Sequence, residues 1–390
     1  MAKSKVKDIV IGVTASVVAL AAVGGIVALV SKDDAPAQTP TETRVELDAK
    51  DSVNASLDGA SGDVKLVIDG NMPLAMGAAE TQLGDDELKS VVIEAANAGD
   101  GITVTGDVRS SIKLTNASAT LTFKGLTFYD AYAGSKSYIT DYTHFAGVIA
   151  FEDCTFTHGI RLRADANMTF DGCTFISPHE ERYSVWVEDG RATFEDCTFK
   201  GYRGLKIHED PKTPTDDITT VSVNECLFDE LSVKCGVAIG TVNAGTTIEL
   251  TNNQFIGCRS WDTTGSLEGI DGVYESDTPV EDYTLTLEGN EVRGTVSNIY
   301  YYAIIDGALD DAFPLEFLTA EHPTEYVQED GATVPALEKI DNYNLVLLDC
   351  WFTNEDCTDR FSGTIPAGQT GDVYLFATFE DENSNWTQNY

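Results

Sequence analysis

Apolar and polar residues alternate with period two, in short runs, along most of this chain. VKLVI at Val64–Ile68, SVVIEA at Ser90–Ala95, GITVTG at Gly101–Gly106, SIKLT at Ser111–Thr115 and ATLTF at Ala119–Phe123 are early examples. Gly, Asp and Asn separate them, so the pattern predicts half-buried β-strands joined by turns. No helical period of similar strength lies between the runs, which argues against βαβ units. A phrase recurs on top of the alternation. FEDCTF stands at Phe151–Phe156 and again at Phe194–Phe199, with FDGCTF at Phe170–Phe175. Weaker copies are FKGLTF (Phe123–Phe128), VNECLF (Val223–Phe228), LTNNQF (Leu250–Phe255) and LEGNEV (Leu287–Val292). The closing residues are 19 to 37 positions apart, about 27 on average.

Repetition at this period means a solenoid, a propeller or an array. Propeller blades need longer and more even units, whereas a parallel β-helix tolerates uneven ones, because insertions enlarge loops without disturbing the stack. Each copy is then one coil, with strands about 4.8 Å apart. In FEDCTF, Phe151, Cys154 and Phe156 should point inward, Glu152 and Asp153 should turn, and Thr155 should face out. Stacking aligns Cys154, Cys173, Cys197 and Cys226, continued by Asn253 and Asn290. A small apolar thiol suits a tight inner corner. These cysteines are therefore expected to be buried and free. The five histidines, at 144, 158, 179, 208 and 322, are scattered and no C-x-x-C pair exists, so a metal centre is not indicated.

The termini differ from the middle. Lys3, Lys5 and Lys7 precede Ile9–Val30, a run of 22 residues without a charge. As a helix it would be about 33 Å long, enough to cross a bilayer core. The lysines place residues 1–30 as a cytoplasmic tip and membrane anchor with the rest outside. A cleaved signal peptide, with Ala35-Pro36-Ala37 as the cleavage site, is the rival reading. Residues 31–46 read as a flexible linker, 47–305 as the β-helix, 306–380 as a separate module and 381–390 as a polar tail.

Charge narrows the partners. With 25 basic and 64 acidic residues the net charge is -39. A phosphate backbone needs a basic footprint, so nucleic acid is excluded as a partner. The acidic surface keeps an exposed protein soluble. Calcium is the one cofactor that so many carboxylates leave open, although no D-x-D-x-D-G loop is present.

The F-x-x-C-T-F coils resemble right-handed parallel β-helix proteins of the pectate-lyase-like superfold, over roughly residues 50–300. That resemblance implies the fold and little about activity, since the superfold holds lyases, hydrolases, tailspikes and adhesins. After each Cys-bearing coil comes a second alternating strand: Ile160–Ala164, Val185–Asp189, Leu205–Glu209 and Val237–Thr241. Aligned by their inward residues, they present one outward column of Arg161, Trp186, Lys206 and Ala238. The next column would be Arg163, Glu188, His208 and Gly240. Cations, an imidazole and a Trp on one face of an acidic chain suit an acidic sugar. A salt-bridged outer face is the simpler alternative. The N-T-D, G-H-G and R-x-K motifs of β-helix polygalacturonases are missing, as is a Gly-x-Ser-x-Gly nucleophile elbow. No catalytic residue is assigned.

Trp351-Phe352, the acidic turn Asn354–Asp356, Ile365–Asp372 (IPAGQTGD) and Leu375–Phe379 resemble one copy of the internalin-type B-repeat, or Listeria–Bacteroides repeat. That resemblance implies a small β-grasp-like unit of bacterial surface proteins. Cys350 and Cys357 flank its turn and are candidates for pairing. The combined expectation is an all-β, membrane-anchored bacterial surface protein, either an adhesin or a glycan binder. A polysaccharide lyase or glycoside hydrolase is the alternative, and a structural stalk the second.

Overall fold

Ten phenylalanines supply the spine of the core. Phe123, Phe151, Phe170 and Phe194 form one column with ring centres 4.9 to 5.1 Å apart. Phe128, Phe156, Phe175, Phe199, Phe228 and Phe255 form a second at 4.6 to 5.0 Å; of the ten rings Phe128 alone is only partly buried. Rings of different columns meet edge to face, as Phe156 and Phe170 do at 5.9 Å. Offset stacks and T-shaped contacts are the favoured aromatic geometries. The repeated phrase thus stacks like on like, in the expected register.

The computed structural model describes residues 43–381 apart from short internal stretches, of which 260–272 is the longest. Its coils have three faces. The first carries Gly62–Ile68, Leu88–Ala95, Thr120–Lys124, Val148–Glu152, Thr220–Asn224, Thr247–Thr251 and Thr284–Glu288, together with the second halves of two long strands, Ile160–Asp171 and Val185–Glu195. The second face is a nine-stranded sheet running from Met72–Pro73 to Glu291–Arg293. The third carries the first halves of the two long strands with Ser137–Tyr138, Leu205–Ile207, Val237–Ile239 and Val273–Glu275. All pairings on these faces are parallel. This is a right-handed parallel β-helix. Its first strand, Thr43–Leu47, begins inside the stretch expected to be linker, and the short helix Val53–Leu57 buries Val53 and Leu57 against the core.

The corner between the first two faces explains the cysteines. Cys154, Cys173, Cys197 and Cys226 are buried and form no disulfide with one another. The Cys173 thiol donates to the Phe151 carbonyl of the preceding coil at 3.4 Å, and Cys197 donates to Phe170 at 3.4 Å. Asn253 takes over the same post. Its amide donates to the Val223 carbonyl at 2.9 Å, while its oxygen accepts from the Cys226 N–H at 2.9 Å. Asn290 repeats this one coil on, accepting from the Asn253 N–H at 3.0 Å and donating to the Leu250 carbonyl at 2.8 Å.

The β-helix ends earlier than the alternation suggested. Val296–Ile305 pairs with Glu325–Val327, Ala308–Asp310 and Val373–Asp381, so it belongs to a five-stranded C-terminal sheet that also includes Leu345–Leu347. The reason is that a period-two pattern does not tell which sheet a strand joins. Trp351, Ile365, Leu375 and Ala377 lie in the core of this unit. Cys350 and Cys357 are free thiols. Among the described residues no helix is long and apolar enough to cross a membrane, and Ile9–Val30 lies outside them.

Candidate functional site

The third face carries the residues singled out from the sequence. Its strands pair Arg161 with Trp186, Trp186 with Lys206, and Lys206 with Ala238. The first outward column is therefore as expected. The second differs. Arg163 pairs with Asp189, because the register shifts between Leu162 and Arg163. Glu188 is the extra residue of this bulge, and a bulge re-aims the side chain it carries. Glu188 turns toward Arg161 and forms an ion pair with it. Both are sealed from solvent, Arg161 at 4% exposure and Glu188 at 3%. An outward position on the sheet is therefore not an exposed one here.

Trp186 holds the column together. The Arg161 guanidinium carbon lies 4.3 Å from its ring centre, and the Lys206 ammonium nitrogen also lies 4.3 Å away. Since Arg161 is on the coil before and Lys206 on the coil after, the indole has a cation on either side. Each such contact is attractive, more so where water is excluded. The indole N–H donates to the His208 carbonyl at 2.7 Å. The two rings are nearly parallel, with centres 6.0 Å apart.

His208 is fixed from the other side. Its Nδ1 accepts from the Thr241 N–H at 2.9 Å, which places the proton of the neutral ring on Nε2. The imidazole lies over Gly240, where a Cβ would meet Nδ1 at 2.2 Å. Only glycine leaves room for it.

Chemically, this arrangement holds and orients. Glu188 is committed to Arg161, and His208 Nδ1 to a backbone amide. Glu188, sealed against Arg161, is not placed to exchange a proton with a molecule arriving from solvent. Among the described residues no group of three His, Cys, Asp or Glu side chains is arranged to hold a metal. Two residues at the edge of the site were not visible in the alternation. Tyr183 and Arg203 precede the strands at a corner, where period two gives no signal. Arg203 lies 5.4 Å, and Lys206 5.9 Å, from the Tyr183 ring centre.

Comparison with known proteins agrees with the fold. The family described as a right handed beta helix region matches residues 110–292, the part that contains the third face. No curated protein matches the chain.

Proposed function

We propose that this protein is a membrane-anchored bacterial surface protein whose β-helix binds a glycan or another cell-surface ligand and does not turn it over. The observation that carries the reading is the half-buried pair Trp186 and Lys206, a cation against an aromatic ring in a chain of net charge -39, with the sealed Arg161 bracing the other side of the indole. Glu188, the described acidic group beside it, is paired internally with Arg161, which favours holding over acid–base catalysis. Anchoring by Ile9–Val30 and export of the remainder belong to the same reading, supported by the lysines before that run and the acidic chain after it. The C-terminal unit is read as a B-repeat-like spacer. In support, Trp351, Ile365 and Leu375, three positions of that resemblance, are core residues.

A glycan array with parallel product detection tests the reading. The expected result is binding without turnover, weakened ten-fold or more in Trp186→Ala. Release of unsaturated uronate products would replace this account with a lyase.

A further inference from the structure

A buried histidine outside the third face closes a turn of the C-terminal unit. His322, 6% exposed, lies just before the strand Glu325–Val327. Its ring meets those of Tyr301 and Trp351 edge to face, each with centres 6.1 Å apart. The His322 N–H donates to the Thr319 carbonyl at 3.0 Å. In return the Thr319 N–H donates to His322 Nδ1 at 3.0 Å, and the Thr319 hydroxyl lies 3.1 Å from the same atom. Nδ1 is thus an acceptor, and the proton of the neutral ring sits on Nε2. That N–H is buried without a hydrogen-bond partner. A buried donor left unsatisfied costs free energy, which is recovered when the turn opens to water. The closed turn is held by one lone pair and opposed by one orphaned donor.

A proton shifts this balance in one direction. Protonated at Nδ1, the ring is a donor at both nitrogens and sets an N–H against the Thr319 N–H. The closed turn accepts only the neutral ring, whereas the open turn accepts either form. Proton uptake therefore favours opening. The closure is intact above the ordinary histidine value of about 6.5 and is lost as pH falls below it. The proton has a route to Nδ1, since Thr319 beside it is exposed.

The groups around the ring come from three segments. On Val296–Ile305 it is Tyr301, which burial pushes up to about 12 and whose hydroxyl donates to the Pro323 carbonyl at 2.7 Å. Trp351 brings an indole N–H that donates to the Pro335 carbonyl at 3.0 Å, and Cys350 beside it is a half-buried thiol. Next to His322 in the chain, Glu321 is exposed, and Glu325 pairs with Arg259. What the turn holds is the join between the coils and the C-terminal unit. Pro323 is tied to Tyr301, and the Thr324 carbonyl accepts from the Ile299 N–H at 2.8 Å. Glu325 then aligns with Asn298 in the sheet while its carboxylate meets Arg259 of the last coils.

We propose that His322 is an acid-sensitive latch between the β-helix and the C-terminal unit. Neutral, it locks the strand Glu325–Val327 onto Val296–Ile305. Protonated, it opens the turn, frees that strand and loosens the unit from the coils. The latch works whatever the third face binds.

The test is hydrogen-exchange mass spectrometry of the full chain at about pH 7.5 and about pH 5.5, either side of the ordinary histidine value, with rates corrected for intrinsic exchange. Peptides spanning 296–301 and 319–327 should lose protection ten-fold or more at the lower pH, while peptides of the phenylalanine coils keep theirs. His322→Asn retains an acceptor and cannot titrate, so those peptides should stay protected at both pH values. Should that variant fold poorly, His322→Phe carries the test. It keeps a ring, loses the acceptor, and should leave the same peptides weakly protected at both. Three results would each overturn the latch: equal protection of the native chain at the two pH values, a pH dependence that survives in both variants, or a matching loss in the coils.

Discussion

Asp153, Asp196, Glu225 and Asn252 adopt positive φ, between 51° and 56°, at the third position of their phrases. Gly125, Gly172 and Gly289 hold the same position in the other coils. Left-handed backbone strains a side chain, least for Gly, Asn and Asp, and the turn residues follow that preference apart from Glu225. Glycine at this position has a second cause in two coils, where a Cβ on Gly172 would come 2.8 Å from the Asp153 carboxylate and one on Gly289 would come 2.4 Å from the Asn252 amide oxygen. Stacked turns also stack charges. Partial burial, and then the carboxylates of Glu152, Asp153 and Asp196, raise the Asp171 pKa above its usual value. A folded-state pKa above the unfolded one means that ionised Asp171 destabilises the fold. The penalty is present above the raised pKa and is relieved as pH falls through it toward about 3.9, the ordinary aspartate value. Asp171→Asn should therefore melt slightly higher than the native protein near pH 7. The difference should vanish below the aspartate range, as thermal melts across pH would show.

At the scale of elements, the coil-to-coil contacts of the phenylalanine columns dominate. Phe175 is fully buried between Phe156 at 5.0 Å and Phe199 at 4.9 Å. Phe175→Ala should cost about 3–5 kcal/mol, the usual loss for a buried phenylalanine, measured by denaturant unfolding. Phe128, partly buried near the start of its column, should cost less. These columns were legible in the sequence because the phrase repeats the same residue at the same distance from its turn. The first column of the third face was legible for the same reason. The second was not, because Glu188 is one residue more than the pairing needs, and a single inserted residue leaves the alternation around it intact. Burial of the Arg161–Glu188 pair was hidden too, since an outward position in a strand predicts direction and not cover. Tyr183 and Arg203 escaped notice because corners carry no period.

At the scale of the molecule, the C-terminal unit continues the stack without a break. The Val296 N–H donates to the Cys258 carbonyl at 3.2 Å, and the Gln328 N–H to the Thr295 carbonyl at 2.9 Å. Arg259 of the last complete coils reaches Asn298 at 3.0 Å and pairs with Glu325. Asn298 in turn receives Asp372 as an acceptor for its own N–H at 2.7 Å. The sequence announced two units but put their boundary at 305, because the strand that joins them, Val296–Ile305, alternates as the coils do. What unites the coils is the register that lays Cys154, Cys173, Cys197 and Cys226 over one another. Burial, with Cys173 alongside, drives the Cys154 thiol far above the ordinary thiol range, and burial pushes Cys258 up to about 12. A thiolate is the reactive form, so these groups should be inert while the stack is intact. The most direct test is site-resolved mass spectrometry after brief treatment with a bulky thiol reagent. All four column cysteines should stay unlabelled in the native protein and label fully once it is denatured. Rapid native labelling of the four would contradict the register, and with it the three-faced β-helix described for this chain.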